Sequence, residues 1–425
     1  MKRDKFWTAA NRLLAVVTVT LIVILVLAPG ASAATEKVLH SFTGGSDGQA
    51  PHEGLIWDQA GNLYSATLDG GVGSCRNEYG TGCGVAYQLT PNGDGTWTEN
   101  VLYSFKGGKD GATPEWGSLA FDTAGNLYGT TNAGGTHGQG TVFELTPNAQ
   151  GKWTKSVLHD FNGKSDGQGP MTTLIFDEAG NLYGTTDSGG AHGGGTVFKM
   201  ARGSNNHWNF HVIHEFARKH GFCPWAGLTP GPDGAFYGTT RDVGYYCSHD
   251  CGTLYKLTPT SGGKWTYKVI HRFRGGKYGA DPGAGGLVLD SQGNLFGDAE
   301  IQGAYGYGLI YELTPGAGDK WTFQVLYQFT GGEDGGFPQA CTLIFDAAGN
   351  LYGPAKSGGA YGYGVVFKLT PNQDGTWTES VVYDFGGSDG ASPGAALNSD
   401  PSGNIYGITT GGGAYGYGAV YEITP

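Results

Sequence analysis

The sequence predicts an all-β fold, a seven-bladed β-propeller of four-stranded antiparallel blades closed by the N-terminal strand. Three observations lead to it. First, Val, an aliphatic residue, then His or Tyr, with Phe two places on, recur from Val38, Val101, Val157, Val212, Val269, Val325 and Val381, a period of about 56 residues. Second, each copy holds short β-prone runs between glycine turns, in a chain with 80 Gly and only 15% charged residues. Glycine keeps no strict three-residue period, which excludes collagen. Third, the two ends are complementary. Val38–Phe42 reads as a fourth strand without predecessors and Ala419–Pro425 as a third strand without a successor. The first can therefore complete the last blade and leave no long open edge. An open β-solenoid would leave both half-units unpaired.

Each repeat contains four strand-sized pieces, which in the second copy are Ser118–Phe121, Leu127–Thr131, Thr141–Thr146 and Trp153–Phe161. The first is apolar on both faces (Leu174-Ile175-Phe176, Leu343-Ile344-Phe345), as a strand covered on both sides requires. The second follows an Asp-x-x-Gly-Asn hairpin turn. The third ends at Thr-Pro, where proline is tolerated. The fourth opens at a Trp in six copies (Trp97, Trp153, Trp208, Trp265, Trp321, Trp377) and alternates, so that Val101, Tyr103 and Phe105 face one way and Leu102 and Ser104 the other.

Residues 1–33 have the layout of a secretory signal peptide: Lys2, Arg3, Lys5 and Arg12, an apolar run Leu13–Ala28, a Pro29-Gly30 break and an Ala31-Ser32-Ala33 cleavage site. The apolar run is shorter than the ~20 residues a membrane span needs. Residues 34–425 are then one propeller domain without a membrane span, secreted to an extracellular or periplasmic space and monomeric. The full chain carries a net charge of -12. Removing the leader makes it more acidic and leaves no basic block, so nucleic acid is not an expected partner.

Six Cys in an exported chain invite disulfides. Cys75 and Cys83 share one insertion, and Cys247 and Cys251 share the matching loop three copies later, so each pair can staple its own loop. Cys223 lies in a neighbouring loop of the same copy and leaves a swapped pairing open. Cys341 reads as a small buried apolar residue.

Asp-x-x-Gly-Asn-Leu-Tyr followed by Thr-Val-Phe-x-Leu resembles the wider class of bacterial propellers that includes NHL-type repeats. The Gly-Gly-x-x-x-Gly-x-Gly and Leu-Thr-Pro signatures more specifically resemble the exported "GloVer" tandem-repeat proteins, the choice-of-anchor repeat family, over residues 37–425. The resemblance implies a propeller and no defined catalytic activity. Nothing after Pro425 resembles the sorting tail of anchored members.

Seven copies allow an internal comparison. Residues repeated in every copy serve the blade, so Asp58, Asp122, Asp177, Asp233, Asp290, Asp346 and Asp400 read as turn formers rather than acids or bases. His40, His159, His214 and His271 exchange with Tyr103, Tyr327 and Tyr383 at one strand position and read as amphipathic packing. Calcium is conceivable at Asp47, Asp110, Asp166, Asp334 and Asp389, but His220 and Tyr278 replace Asp in two copies, and no metal or other cofactor is expected.

What varies is the candidate site. The blade-to-blade loops and the loops between second and third strands open on one face, where a propeller funnel receives ligands. At the end of the second strand stand Leu68, Asn132, Asp187, Arg241, Glu300, Lys356 and Thr410; at the start of the first lie His52, Glu53, Glu115, Trp116, Trp225 and Gln339. Adjoining loops carry Tyr305, Tyr307, Tyr361, Tyr363, Tyr415 and Tyr417, with Tyr245, Tyr246, His137 and His192 in other copies. Such a rim suits stacking on sugars or anchoring a protein.

The sequence therefore reads as an exported non-catalytic binding or scaffold protein recognising a glycan or a cell-surface protein on this face. One alternative is a polysaccharide lyase or glycoside hydrolase using Glu53, Glu115 or Glu300 with Arg241 or His52. Another is a structural envelope or matrix protein. No phosphate loop or Cys-x-x-Cys pair is present.

Overall fold

A computed structural model of the chain describes residues 34–76, 80–203, 207–217, 221–241, 251–283, 285–339 and 342–425. The leader, Tyr245, Tyr246, Cys247, His220 and Cys341 lie outside the described residues.

Seven antiparallel sheets follow one another along the chain, and each is a blade. Blade 2 pairs Ala120–Phe121, Leu127–Thr131, Thr141–Pro147 and Trp153–Asp160 in sequence order. The inner strand is shorter than the sequence suggests in blades 2, 3, 4 and 6, is split in two in blades 1 and 5, at Gln49–Pro51 and Ile56–Trp57 and at Ala280–Pro282 and Val288–Leu289, and runs long in blade 7, Ala391–Ser399. The last blade is completed from the far end of the chain. Thr35–Ser41 lies antiparallel to Ala419–Thr424, from Thr35 opposite Thr424 to Ser41 opposite Ala419.

The core is divided among the seams. Seven hydrophobic clusters each span two neighbouring blades, and one of them joins Leu39, Phe42, Leu55 and Val85 to Tyr406, Ile408 and Val420, closing the ring. Phe42, Phe105, Phe161, Phe216, Phe273, Phe329 and Phe385 end the seven outer strands fully buried. Each such burial is worth about 1.5–3 kcal/mol.

The Asp turns work as their repetition suggests. In blade 1 Asp58 Oδ1 accepts from the amides of Ala60 and Asn62 at 2.8 and 2.9 Å, and Oδ2 accepts from Asn62 Nδ2 and Tyr64 Oη at 2.7 and 2.9 Å. Partial burial works against the Asp58 carboxylate, but these hydrogen bonds outweigh it and lower its pKa.

Strict alternation in the outer strand fails. A bulge shifts the register in every outer strand; in blade 1 Ala86 faces Tyr103 and Tyr87 faces Val101, which leaves Leu102 as the extra residue. Val101 is consequently exposed, and Leu102 packs on the blade 1–blade 2 core together with Tyr103.

A second device joins the blades. Each repeat contains an X-Pro pair ahead of the inner strand or, in blades 1, 5 and 7, within its first residues: Ala50-Pro51, Thr113-Pro114, Gly169-Pro170, Cys223-Pro224, Asp281-Pro282, Phe337-Pro338 and Ser392-Pro393. All seven X residues have positive φ, between 48° and 60°. That is the left-handed region, costly for residues other than glycine. Each X amide donates to the preceding blade's loop, as from Ala50 to Tyr417 O (2.9 Å) and Ser392 to Tyr363 O (2.8 Å). The Pro ring lies on a glycine of that loop so closely that a Cβ on Gly418 would meet Pro51 at 2.6 Å and one on Gly364 would meet Pro393 at 2.5 Å. The carbonyl of X in turn receives the amide of the residue ending the second strand, as in Asn132 to Thr113 (3.0 Å) and Arg241 to Cys223 (2.9 Å). The strained clasp thus fixes both the seam and the variable rim.

Candidate functional site at the mouth of the propeller

The residue following each clasp proline points the chain into the funnel. His52, Glu115, Met171, Trp225, Gln339 and Gly394 occupy this position, and all six line one of two adjoining cavities. One, of about 420 Å³, is bordered by Gln49, His52, Trp116, Gln339, Lys356, Thr410 and Tyr417. The other, of about 940 Å³, is bordered by Arg76, Glu115, Trp116, Asn132, Met171, Trp225, Arg241 and Gln339. Trp116 and Gln339 belong to both, so the two form one mouth.

Aromatic rings run across it. Trp116 and Trp225 stack with centroids 6.2 Å apart and planes at 25°, and His52 sits 4.8 Å from Trp116. Trp116 holds a left-handed φ of 64°, a conformation that costs of order 1–3 kcal/mol for a bulky residue. The backbone tolerates that cost with the indole presented to the mouth.

Arg241 is tightly held. Its guanidinium lies 4.3 Å from the Trp225 ring, its Nε is 3.2 Å from Asp281 Oδ2, and Nη2 is 3.7 Å from Glu300 Oε2. Trp225 Nε1 donates to Asp187. Burial raises the pKa of Asp187 against the hydrogen bond from Trp225, and burial raises that of Glu300 against the charges of Arg241 and Lys356. Lys356 Nζ donates to Gln339 Oε1 at 2.8 Å and its ammonium borders the cavity. Asn132 Nδ2 donates to Glu115 Oε2 at 3.1 Å, and His52 Nδ1 lies 3.9 Å from Glu115 Oε1. Burial, aided by the Lys356 charge, lowers His52 to about 4 and keeps it neutral.

The structure therefore brings Trp116, Trp225, Arg241, Glu300, Lys356, Asn132 and Asp187 to one place. It separates others. Glu53 is only 2% exposed and borders neither cavity; burial, with Glu115 nearby, raises its pKa well above the ordinary carboxyl range. Glu300 is engaged with Arg241 rather than facing Glu115. Tyr305, Tyr361 and Tyr415 stand away from the mouth, 61–66% exposed on the periphery. Their neighbours Tyr307, Tyr363 and Tyr417 cover glycine backbone, with Tyr417 carbons 2.8 Å from a Cβ built on Gly44.

Cys75 and Cys83 form a disulfide beside the mouth, and Cys75 lines it. Cys251 is also disulfide-bonded; Cys247 lies outside the described residues. Cys223, at a clasp position, is a buried thiol. The loop Asp residues bind protein groups: Asp110, Asp334 and Asp389 accept from Tyr103, Tyr327 and Tyr383 at 2.8, 2.8 and 2.7 Å. Among the described residues no group of three or more His, Cys, Asp or Glu is placed to hold a metal ion, and no helix is long and apolar enough to cross a membrane. The clasp residues were missed in sequence, although an X-Pro at one place in seven copies was a readable signal.

The profile of the Gloeobacter/Verrucomicrobia repeat matches residues 72–282 and 246–425. No curated protein matches the chain. Among solved structures, a puromycin-hydrolysing peptidase of Mycobacterium tuberculosis superposes with a TM-score of 0.50 at 10% identity over 85% of this chain and 50% of its own. A Dyadobacter fermentans protein of unknown function gives a TM-score of 0.47 at 11% identity, over 93% of this chain and 99% of that one. A luciferin-regenerating enzyme gives 0.45 at 12% identity, over 92% and 96%. At 10% identity the likeness to the peptidase shows the fold alone.

Proposed function

The chain belongs to the Gloeobacter/Verrucomicrobia repeat family, and from that premise and the geometry of the mouth we propose that it is an exported, non-catalytic binding protein that takes a glycan in the funnel. The observation that carries this reading is the Trp116–Trp225 pair, one indole held in a strained backbone conformation, facing a cavity edged by Gln49, Gln339, Lys356 and Asn132. Flat apolar plates ringed by amide and ammonium donors match the alternation of C–H faces and hydroxyls on a pyranose. The Cys75–Cys83 disulfide and the leader-like residues 1–33 support an oxidising, extracytoplasmic location.

Glu53, one of the three carboxylates the hydrolase alternative would draw on, is 2% exposed and borders neither cavity, which weighs against that reading. A thermal-shift series against neutral oligosaccharides tests the proposal. Binding in the funnel raises the melting temperature of the native protein, and Trp116→Ala abolishes the rise while leaving the melting temperature without sugar nearly unchanged. No rise with any sugar refutes it. Release of reducing or unsaturated ends from polysaccharides would instead install the enzyme reading.

A further inference from the structure

The loop between second and third strands has the same form in blades 5, 6 and 7, Gly-Gly-Ala-Tyr-Gly-Tyr-Gly in the last two and Gln-Gly-Ala-Tyr-Gly-Tyr-Gly in the first. It is pinned in the same way each time. The alanine amide donates to a side chain of the outer strand: Ala304 to Gln328, Ala360 to Asp384 (2.8 Å) and Ala414 to Ser41 (3.2 Å). The glycine before the third strand donates back to the start of the loop at 2.8 to 3.0 Å. A stiff turn thus lifts one phenol ring per blade away from the protein.

The fold does not require that ring. Blades 2 and 3 carry His137 and His192 at the same turn, likewise exposed, and the cover over glycine backbone comes from the second tyrosine of each loop. Three exposed Tyr at consecutive blades therefore call for another account.

We infer that Tyr305, Tyr361 and Tyr415 form an arc of equivalent stacking platforms for separated sugars along one extended neutral polysaccharide. A periodic receptor suits a periodic ligand, whereas a globular partner would meet the three positions with three different surfaces. A groove of about 820 Å³ at the blade 6–blade 7 seam is lined by Tyr361 together with Tyr383, Asp384, Ser388 and Asp389. Glu333, Asp334, Asp389 and Asp47 lie in the blade-to-blade loops whose glycines Tyr307, Tyr363 and Tyr417 cover, in a chain of net charge -12, which disfavours an anionic polymer. At the blade 7 end the arc meets the funnel through Tyr417, which lines the mouth. This inference extends the glycan reading of the mouth, but it can fail separately.

Affinity electrophoresis of the native protein tests it, in gels containing hydroxyethylcellulose, galactomannan or laminarin, with alginate and chitosan as charged polymers. The protein is retarded in at least one neutral gel. Joint substitution Tyr305→Ala, Tyr361→Ala and Tyr415→Ala weakens that retention about tenfold or more through lost multivalency, without altering the thermal shift given by short oligosaccharides. The matching Tyr→Phe triple variant keeps retention, since stacking needs the ring and not the hydroxyl. Trp116→Ala does the reverse, removing the oligosaccharide shift while part of the polymer retention survives. The arc is refuted if no neutral polymer retards the protein, if only alginate or chitosan does, or if the Tyr→Ala triple variant is retained as strongly as wild type. If that last result comes with an intact oligosaccharide shift, the mouth stands and the arc alone falls.

Discussion

Two groups of seams join blades of the same shape by different chemistry. Between blades 2 and 3, 3 and 4, and 4 and 5, a histidine of one outer strand lies flat on an aromatic ring of the next. The pairs are His159 on Phe210, His214 on Tyr267 and His271 on Phe323, with centroids 3.8, 4.2 and 4.1 Å apart and planes within 8° of parallel. Between blades 5 and 6, 6 and 7, and 7 and 1, the position of that aromatic is taken by Glu379, Glu36 and Glu99. These lie within electrostatic reach of Asp334, Asp389 and Asp47, and in each an Oε1 atom is buried without a hydrogen-bond partner. The remaining seam, blade 1 to blade 2, uses Lys155, whose Nζ is 3.4 Å from Asp110 Oδ1 and 5.5 Å from the Phe105 and Phe143 rings. The exchange of His and Tyr along the sequence follows this partition: His where the neighbour is a ring, Tyr where it is Glu or Lys, with His40 the exception. The backbone demands only a filled seam, and the pairwise chemistry is chosen locally.

The comparison can be broken most forcefully at a stacked seam. Phe210→Ala removes the ring from His159 and from Phe161 and Phe198; a loss of about 3 kcal/mol in chemical denaturation is expected for such a truncation. Glu379→Ala at the equivalent place of a carboxyl seam is expected to cost far less. Equal losses would show that the two kinds of seam do not differ in strength.

The clasp should matter next. Gly418→Ala places a Cβ at positive φ against Pro51, where the ring closes. A loss of about 2 kcal/mol is expected, measurable as a lower denaturation midpoint. A neutral result would mean that the loop yields freely.

A pH series sharpens the contrast further. Burial first, and then the neighbouring aspartates, raise Glu36, Glu99 and Glu379 from 4.5 to about 7. The folded state thus holds these protons more tightly than the unfolded chain. Their contribution to stability is complete below the unfolded pKa and is lost as pH rises through about 7. His52 and His271, lowered to about 4, act in the opposite sense under acid. The informative quantity is therefore the difference between wild type and the joint Glu→Gln variant. The variant should gain melting temperature relative to wild type from pH 5 to pH 8, and a constant difference would contradict shifted seam carboxyls. The smallest effect is expected from His40→Tyr, which restores at the 7/1 seam the Tyr–Asp–Glu grouping of its neighbours. A gain of about 0.5–1 kcal/mol is expected if the new phenol donates to Asp47 as Tyr383 does to Asp389.

Most of the blade was legible because its signals are local. Asp122 to Asn126 is a turn in sequence and in space, Trp153 marks a strand start, and Val38–Phe42 announced itself as an orphan fourth strand. The bulge at Leu102 was not legible, since an apolar triplet reads the same with or without an extra residue. Nor were the clasps, because the left-handed conformation of Thr113 or Phe337 answers to a neighbouring blade's glycine. The mouth was partly legible: positions that differ from copy to copy mark Trp116, Arg241 and Lys356. Depth was not. Glu53 and Trp116 hold the same place in their repeats, yet one is buried and the other faces the cavity, and the tyrosines of one loop divide into cover and display.

The most direct test of the account is a crystal structure of the protein with an oligosaccharide that raises its melting temperature. The account expects a sugar ring lying on Trp116 between Lys356 and Asn132. A sugar bound only on the opposite face of the ring, or a mouth in which Trp116 turns away from the bound sugar, would contradict it.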